Sequence, residues 1–189
     1  MPRPYLLAVA LVGLLPACLE VTPPSETPID VKDVEAPPDL ELVTACVPTG
    51  MELCFDALDN NCNGVIDEGC GLNTGLLQFT IAWSQSEADV DLVVDPPELS
   101  DDDDASDVGL ARDRDCPNDG CYGQNVENVY LTDGRPRRGS YRVTVRLTEL
   151  PDDDEPVKVR LSVRIGQRHY TTEVTLERSG DERELSFKL

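Results

Sequence analysis

Apolar and polar side chains alternate along the chain from residue 76 to its last residue, and this period of two is the pattern of strands with one buried face. The inward positions are filled mainly by Val, Leu, Ile and Phe, while Gly, Asp and Pro fill the connections. The pattern predicts about seven strands, near residues 77–83, 90–94, 126–131, 141–147, 157–165, 170–176 and 185–189. No convincing helical period interrupts them. The chain is therefore predicted to be all-β, with an antiparallel β-sandwich over residues 76–189.

Two segments of different composition precede the sandwich. Residues 18–44 combine recurrent proline with acidic side chains and few apolar ones, so we expect a disordered, extended tether. Residues 45–71 are rich in glycine and cysteine and have few apolar side chains. A segment this small needs disulfides or a bound ion for its stability, so it is predicted to be a disulfide-rich metal-binding module.

The first residues resemble a bacterial lipoprotein leader. An apolar run at residues 6–15 follows one positive charge, Arg3, and is too short to span a bilayer. It ends in Leu15-Pro16-Ala17-Cys18, which resembles a lipobox. The resemblance implies that residues 1–17 are removed as a signal peptide and that Cys18 carries the lipid. Because Leu19 follows the cysteine, it also implies an outer-membrane anchor facing the periplasm or the cell surface. The alternative is a plain secreted protein that is cut near Cys18.

The net charge of the chain is −21, from 37 acidic and 16 basic side chains. Nucleic acid is excluded as a partner, because binding to phosphates needs a basic footprint. Solvated acidic loops account for the excess better than a cation-storing surface does. One histidine, without a nucleophile elbow, a phosphate loop or zinc-ligand spacing, predicts that the protein is not an enzyme. A carboxylate-dependent hydrolase is the enzymatic alternative, although no pair of carboxylates stands out.

The cysteine count agrees with export. Removing Cys18 from the seven cysteines leaves six, an even number, and an oxidising compartment makes disulfides the expected state. Cys116 and Cys121 enclose an Asn-Asp-Gly turn and are predicted to pair with each other. The other four cysteines lie eight residues apart in sequence, and their three possible connectivities stay open: Cys46, Cys54, Cys62 and Cys70.

The loop that begins at Asp59 carries the strongest chemical signal. Oxygen donors alternate along it, and Gly64 permits a sharp turn, which is the order of ligands in Ca²⁺ loops of the EF-hand type. The predicted metal ligands are Asp59, Asn61, Asn63, the backbone of Val65, Asp67 and Glu68. An EF-hand proper is excluded, because Cys70 replaces the twelfth-position glutamate and no helices flank the loop; Glu68 or Asp56 would supply the missing carboxylate. Ca²⁺ affinity of about 10⁻⁴–10⁻³ M is expected for such an exposed site. The alternative is a disulfide-stapled turn without an ion.

Residues 54–69, which include Asp59-Asn60-Asn61-Cys62-Asn63-Gly64 and Asp67-Glu68-Gly69, resemble the metal-binding motif named after the surface protein MopE. The usual form of that family has Asp where this chain has Asn61 and Asn63, which lowers the charge of the site. The family name implies copper. The chain offers copper only Met51 and His169, which is distant along the sequence, so copper is not supported and Ca²⁺ is the predicted cofactor.

The order of motifs in residues 76–189 resembles a YfaP-type domain and the pre-peptidase C-terminal domains of secreted bacterial enzymes. The matching pieces are Ile81-Ala82-Trp83, Ala88-Asp89-Val90-Asp91-Leu92, Glu127-Asn128-Val129-Tyr130 and Gly139-Ser140-Tyr141-Arg142-Val143. Both resemblances imply an accessory sandwich without catalysis. Asp89, Asp91 and Glu127 form a possible second metal site at the end of the sandwich, and exposed carboxylates without an ion are the alternative.

Together these features predict a non-enzymatic, lipid-anchored surface protein. Its cysteine-rich motif would bind Ca²⁺, and its sandwich would contact an unidentified protein partner. The alternative is a structural component of an envelope or secretion assembly.

Overall fold

The computed structural model describes residues 28–98, 109–117, 121–132, 134–151 and 155–189. The predicted signal peptide and the lipidation of Cys18 lie outside these described residues. Within them, no helix has the length and apolar character needed to cross a bilayer.

The described residues form two antiparallel sheets. Their strands are β1 Asp33–Glu35, β2 Leu77–Trp83, β3 Asp89–Asp95, β4 Leu110–Asp115, β5 Val126–Leu131, β6 Ser140–Glu149, β7 Val157–Ile165, β8 Arg168–Leu176 and β9 Glu182–Lys188. One sheet has the order β1-β9-β6-β3 and the other the order β4-β5-β2-β7-β8. The predicted all-β fold is confirmed. The seven predicted strands are present, in chain order, as β2, β3, β5, β6, β7, β8 and β9.

The core lies between the sheets and is built from the alternating apolar positions. Phe79 on β2 stacks on Tyr141 on β6 with ring centroids 6.5 Å apart. Tyr170 on β8 meets Phe187 on β9 edge-on at 5.3 Å. Each pair joins one sheet to the other, and aromatic pairs in these geometries contribute about 0.5–1.5 kcal/mol beyond the burial of their area.

The structure differs from the predicted tether over residues 28–44. This segment was expected to be disordered, but it runs along the sandwich, and Val34 of β1 pairs in register with Phe187 of β9. Val43 and Thr171 exchange two backbone hydrogen bonds of 2.8 Å. Val31 is buried against the core. The physical reason is that β9 offers an unpaired edge, and two apolar pairs spaced by two residues, 29 with 31 and 34 with 36, pack against the core there.

The cysteine-rich module packs on the outer face of the five-stranded sheet. Gln78 on β2 donates to the carbonyl of Ile66 at 3.0 Å, and Ser162 on β7 donates to the carbonyl of Ala57. Ile66 and Ala57 are themselves 1% and 0% exposed. Both faces of β2 are consequently buried along its whole length. The packing places the predicted metal loop directly against β8.

Candidate metal centre

Two interlaced disulfides frame the module. Cys46 pairs with Cys62 and Cys54 pairs with Cys70, each across a sequence separation of 16 residues. This selects one of the three connectivities that the sequence left open. The loop from 59 to 68 therefore contains Cys62 of the first disulfide and is followed by Cys70 of the second.

Asx-type hydrogen bonds wrap the loop into a tight turn. Asp59 accepts from the amides of Asn63 at 3.1 Å and Gly64 at 2.8 Å. Asn61 accepts from the amide of Asn63, and Asn63 from the amide of Val65, both at 2.9 Å. Gly64 has φ +97°, a backbone conformation that residues other than glycine rarely adopt. The alternating Asp and Asn residues thus determine the backbone path of the loop.

Three carboxylates converge inside this frame. Glu52, Asp59 and Glu68 each offer one oxygen, and these oxygens lie within 4.8 Å of one another. Oε1 of Glu68 accepts hydrogen bonds from the side-chain amides of Asn61 and, at 2.6 Å, of Asn63. Oε2 of Glu68 is buried and has no hydrogen-bond partner among the described residues. A buried carboxylate oxygen without a donor is costly, so this atom has the environment of a cation ligand.

Glu52 is the member of this cluster that sequence reasoning missed. Its Oε1 accepts from the amide of Asp67 at 3.0 Å and its Oε2 from the amide of Asn60 at 3.1 Å. Burial, and then the charge of Glu68, raise the pKa of Glu52 to about 7, although the two amides act in the opposite direction. Glu52 precedes the alternating donors, and its only sequence signal is that it lies between Cys46 and Cys54.

Asp67 has a different role from the predicted one. Its side chain is fully buried and accepts from the amides of Phe55 at 2.7 Å, Asp56 at 3.3 Å and Ala57 at 3.1 Å. Burial raises the pKa of Asp67 to about 6, and the three amides oppose this shift. Phe55 and Ala57 both have positive φ, 66° and 55°, in the left-handed region. Asp67 therefore anchors a strained turn and lies outside the group of converging oxygens.

The two remaining predicted positions lie beside the cluster. Val65 contributes its amide to the turn, as described above. Asp56, the alternative source of a carboxylate, accepts from the amide of Leu58 at 2.9 Å and from the side chain of Asn60 at 3.3 Å. Glu68 rather than Asp56 therefore lies in the cluster with Glu52 and Asp59.

His169 is distant in sequence but not in space. Its Nδ1 lies 3.7 Å from Oδ2 of Asp59, and its Nε2 lies 3.0 Å from the carbonyl oxygen of Gly64. The sequence argument that treated His169 as remote from the motif is wrong, because the module packs on β8. Met51, by contrast, is 88% exposed. Among the described residues, His169 is the only basic side chain that the structure pairs with the three carboxylates.

The residues fit a hard cation. Three carboxylates that have no lysine or arginine partner among the described residues repel one another, and carboxylate oxygens are donors that Ca²⁺ prefers. One imidazole next to Asp59 is the single nitrogen donor in the described part of the site. Such a donor set favours an alkaline-earth ion over a soft transition metal.

A second group of carboxylates lies where the edge of β3 approaches β4 and β5. Asp91, Asp115 and Glu127 each offer an oxygen within 4.8 Å of the other two. The predicted second site named Asp89, and the structure groups Asp115 in its place. Burial raises the pKa of Asp89, and the nearby charges of Asp91 and Asp115 add to the effect. Burial raises the pKa of Glu127 to about 9, against the Leu92 amide and Arg112. Cys116, next to Asp115, is bonded to Cys121.

Residues 45–68 match the family Cu-binding MopE, whose description is "Putative metal-binding motif". No curated protein and no solved structure matches the chain. The match covers the module and stops before the sandwich. The protein therefore carries a metal-binding motif of the MopE type, crossed by two disulfides and packed on a β-sandwich.

Proposed function

We propose that this protein is a non-enzymatic, lipid-anchored envelope protein whose cysteine-rich module binds Ca²⁺ as a structural ion. The observation that carries the proposal is the buried, unpartnered Oε2 of Glu68 within a cluster of three carboxylates. A bound divalent cation would neutralise part of that charge and give this oxygen a partner.

Each residue of the site has a distinct role in this proposal. Glu52, Asp59 and Glu68 would hold the ion, while Asn61 and Asn63 fix the position of Glu68 through their side-chain amides. The ion would supply electrostatic cross-linking and no redox chemistry. Affinity of about 10⁻⁴–10⁻³ M, which is typical of extracellular modules, suits a protein that meets high Ca²⁺ outside the cell.

The anchor and the partner rest on the sequence. The lipobox-like residues before Cys18 and the three disulfides support export, and an acylated cysteine would hold the sandwich at the outer membrane. A protein partner is favoured over a glycan because Trp83 is buried, with its Nε1 donating to the carbonyl of Ala88 at 3.0 Å, and so supplies no aromatic platform.

Calorimetric titration of the oxidised chain with Ca²⁺ tests the metal assignment. We expect binding with a dissociation constant near 10⁻³ M or below, weakened at least about tenfold in Glu68→Gln, because affinity follows the number of ligand charges. Asp39→Asn, which changes an exposed carboxylate in the preceding segment, is the control and should bind like the wild type. Equal binding by Glu68→Gln and the control would contradict the proposed site.

Titration with Cu²⁺ separates the two candidate metals. If the oxygen cluster selects Ca²⁺, then His169→Gln should change the Ca²⁺ dissociation constant by less than tenfold, equivalent to about 1.4 kcal/mol. Cu²⁺ binding that exceeds Ca²⁺ binding and disappears in His169→Gln would replace calcium by copper as the ligand of this site.

Acyl labelling tests the anchor. Cys18→Ser should abolish incorporation of labelled fatty acid and move the protein out of the membrane fraction. Unchanged labelling of this variant would refute lipidation at Cys18.

A further inference from the structure

We infer that Asp91, Asp115 and Glu127 form a second divalent-cation site, separate from the module, which joins the two sheets of the sandwich. The inference does not depend on the proposed function, because none of these residues belongs to the cysteine-rich motif. Its basis is the position of the three carboxylates, the way each is held, and one buried oxygen that lacks a partner.

The site lies where the edges of the two sheets approach each other. Asp91 is on β3, the edge strand of the four-stranded sheet. Asp115 ends β4, the edge strand of the five-stranded sheet, and pairs in register with Glu127 on β5. An ion held by all three would therefore link β3 to β4 and β5, strands of the other sheet with which β3 forms no ladder.

Glu127 and Arg112 occupy the open edge of β3. Oε2 of Glu127 accepts from the amide of Leu92 at 2.7 Å, and Arg112 donates to the carbonyl of Leu92. Arg112 also donates to Oε2 of Glu127 at 3.1 Å. These bonds replace the strand partner that an edge residue lacks, and they hold the carboxylate of Glu127 in one orientation.

The other two carboxylates are each held by a hydrogen bond to one of their oxygens. Oδ2 of Asp91 accepts from the hydroxyl of Thr148 on β6, and Oδ1 of Asp115 accepts from Arg112. The disulfide that begins at Cys116 restrains the chain immediately after Asp115. Preorganised carboxylates of this kind are what a metal site requires of its ligands.

Oε1 of Glu127 is the observation that points to a ligand. The residue is 0% exposed, and this oxygen is buried without a hydrogen-bond partner among the described residues. Both Asp91 and Asp115 place an oxygen within 4.8 Å of an oxygen of Glu127. Two carboxylates this close need either a cation or a shared proton between them, and a divalent cation in excess would displace that proton.

The charge of the group matches a divalent ion. When all three carboxylates are ionised, they and the guanidinium of Arg112 carry a net charge of −2. All of the ligand atoms are oxygens, so the class of ion is a hard divalent cation, with Ca²⁺ as the probe. Its effect would be to hold β3 against β4 and β5, which stabilises the folded state in proportion to ion occupancy.

The test uses the full oxidised chain with the module site silenced by Asp59→Asn and Glu68→Gln. We expect this chain to bind one Ca²⁺ and to show a Ca²⁺-dependent rise in melting temperature. Adding Asp115→Asn should weaken the remaining binding at least about tenfold, because one of three ligand charges is lost. The side chain of Asp115 is 48% exposed, so this substitution carries little risk for folding, which far-ultraviolet circular dichroism checks.

Asp95→Asn in the silenced chain is the matched control. Asp95 is also on β3, has a side chain 59% exposed and lies 4.0 Å from an arginine. The variant should therefore bind Ca²⁺ with the same affinity as the silenced chain. Two results would overturn the inference: no binding by the silenced chain up to about 10⁻² M Ca²⁺, ten times the weakest extracellular-grade constant, or equal binding with and without Asp115→Asn. If instead the module does not bind Ca²⁺, the wild-type and silenced chains will bind the same number of Ca²⁺ ions.

Discussion

Gln78 links the sandwich to the module. Replacing it by Met should lower the free energy of unfolding and make the module easier to undock from the sheet. By the alternation of β2 alone, Gln78 occupies an outward position, where substitutions usually change stability by no more than about 0.5 kcal/mol. In the structure it is fully buried. Its side chain donates to the carbonyl of Ile66 at 3.0 Å and to the side chain of Asn128 at 3.2 Å, and it accepts from Thr74 at 3.0 Å.

The expected cost of Gln78→Met follows from these bonds. Each lost hydrogen bond costs about 1 kcal/mol net, and leaving the carbonyl of Ile66 buried without a donor costs about 1–3 kcal/mol. Met has a similar volume, so no large cavity forms, and its extra apolar surface offsets part of the loss. We expect the free energy of unfolding to fall by about 2–4 kcal/mol, a large share of the 5–15 kcal/mol that is typical of a domain.

Urea denaturation of the oxidised protein in a chelator, followed by circular dichroism, measures the global effect without any metal contribution. Amide exchange within the module measures local undocking, and a loss of about 3 kcal/mol corresponds to exchange about 100-fold faster. Gln167→Met, at an exposed glutamine, is the control. If Gln78→Met matches this control within about 0.5 kcal/mol in both measurements, the module does not depend on this contact and the argument fails.

Three further predictions concern other parts of the fold. Replacing Cys46 and Cys62 by Ser should destabilise the protein by about 3 kcal/mol through loop entropy, measured by urea denaturation, and an unchanged midpoint would contradict the role of this bridge. Trp83→Phe leaves the carbonyl of Ala88 without its buried donor and should cost about 1–3 kcal/mol in the same assay, whereas a neutral result would refute the value of that bond. The amide of Glu177, followed by that of Arg178, lowers the pKa of Asp181 below 3.8. The ionised carboxylate of Asp181 therefore stabilises the fold at neutral pH, and this effect is lost as the pH falls through the folded-state pKa. The melting temperatures of wild type and Asp181→Asn should differ at pH 7 and converge in acid. A difference that stays constant with pH would contradict this.

The strands and the fold class follow from local sequence, because alternation records which face of a strand is buried and needs no knowledge of the partner. The two strands that alternation missed are explained by their surroundings. β1 has three residues and depends on the open edge of β9, and β4 carries four charged residues out of six. Neither segment has an apolar face long enough to be recognised without its neighbour.

The metal loop divides in the same way. Asp59, Asn61, Asn63 and Glu68 are recognisable because donors in a turn must alternate within a few residues, and the MopE-type motif records that spacing. The inward turn of Asp67 is different, since it depends on three amides of a strained segment ten to twelve residues earlier.

What the sequence determined by itself is therefore what is encoded over short distances: the strand pattern, the oxygen-rich loop and the local pairing of Cys116 with Cys121. Only the tertiary structure decided which groups share a site. Gly64 and His169 are 105 residues apart along the chain, and the two sheets bring Asp91 to Glu127. Such contacts have no local signature, because they arise from the packing of one sheet face or edge against another element, and packing is decided by the whole set of buried surfaces.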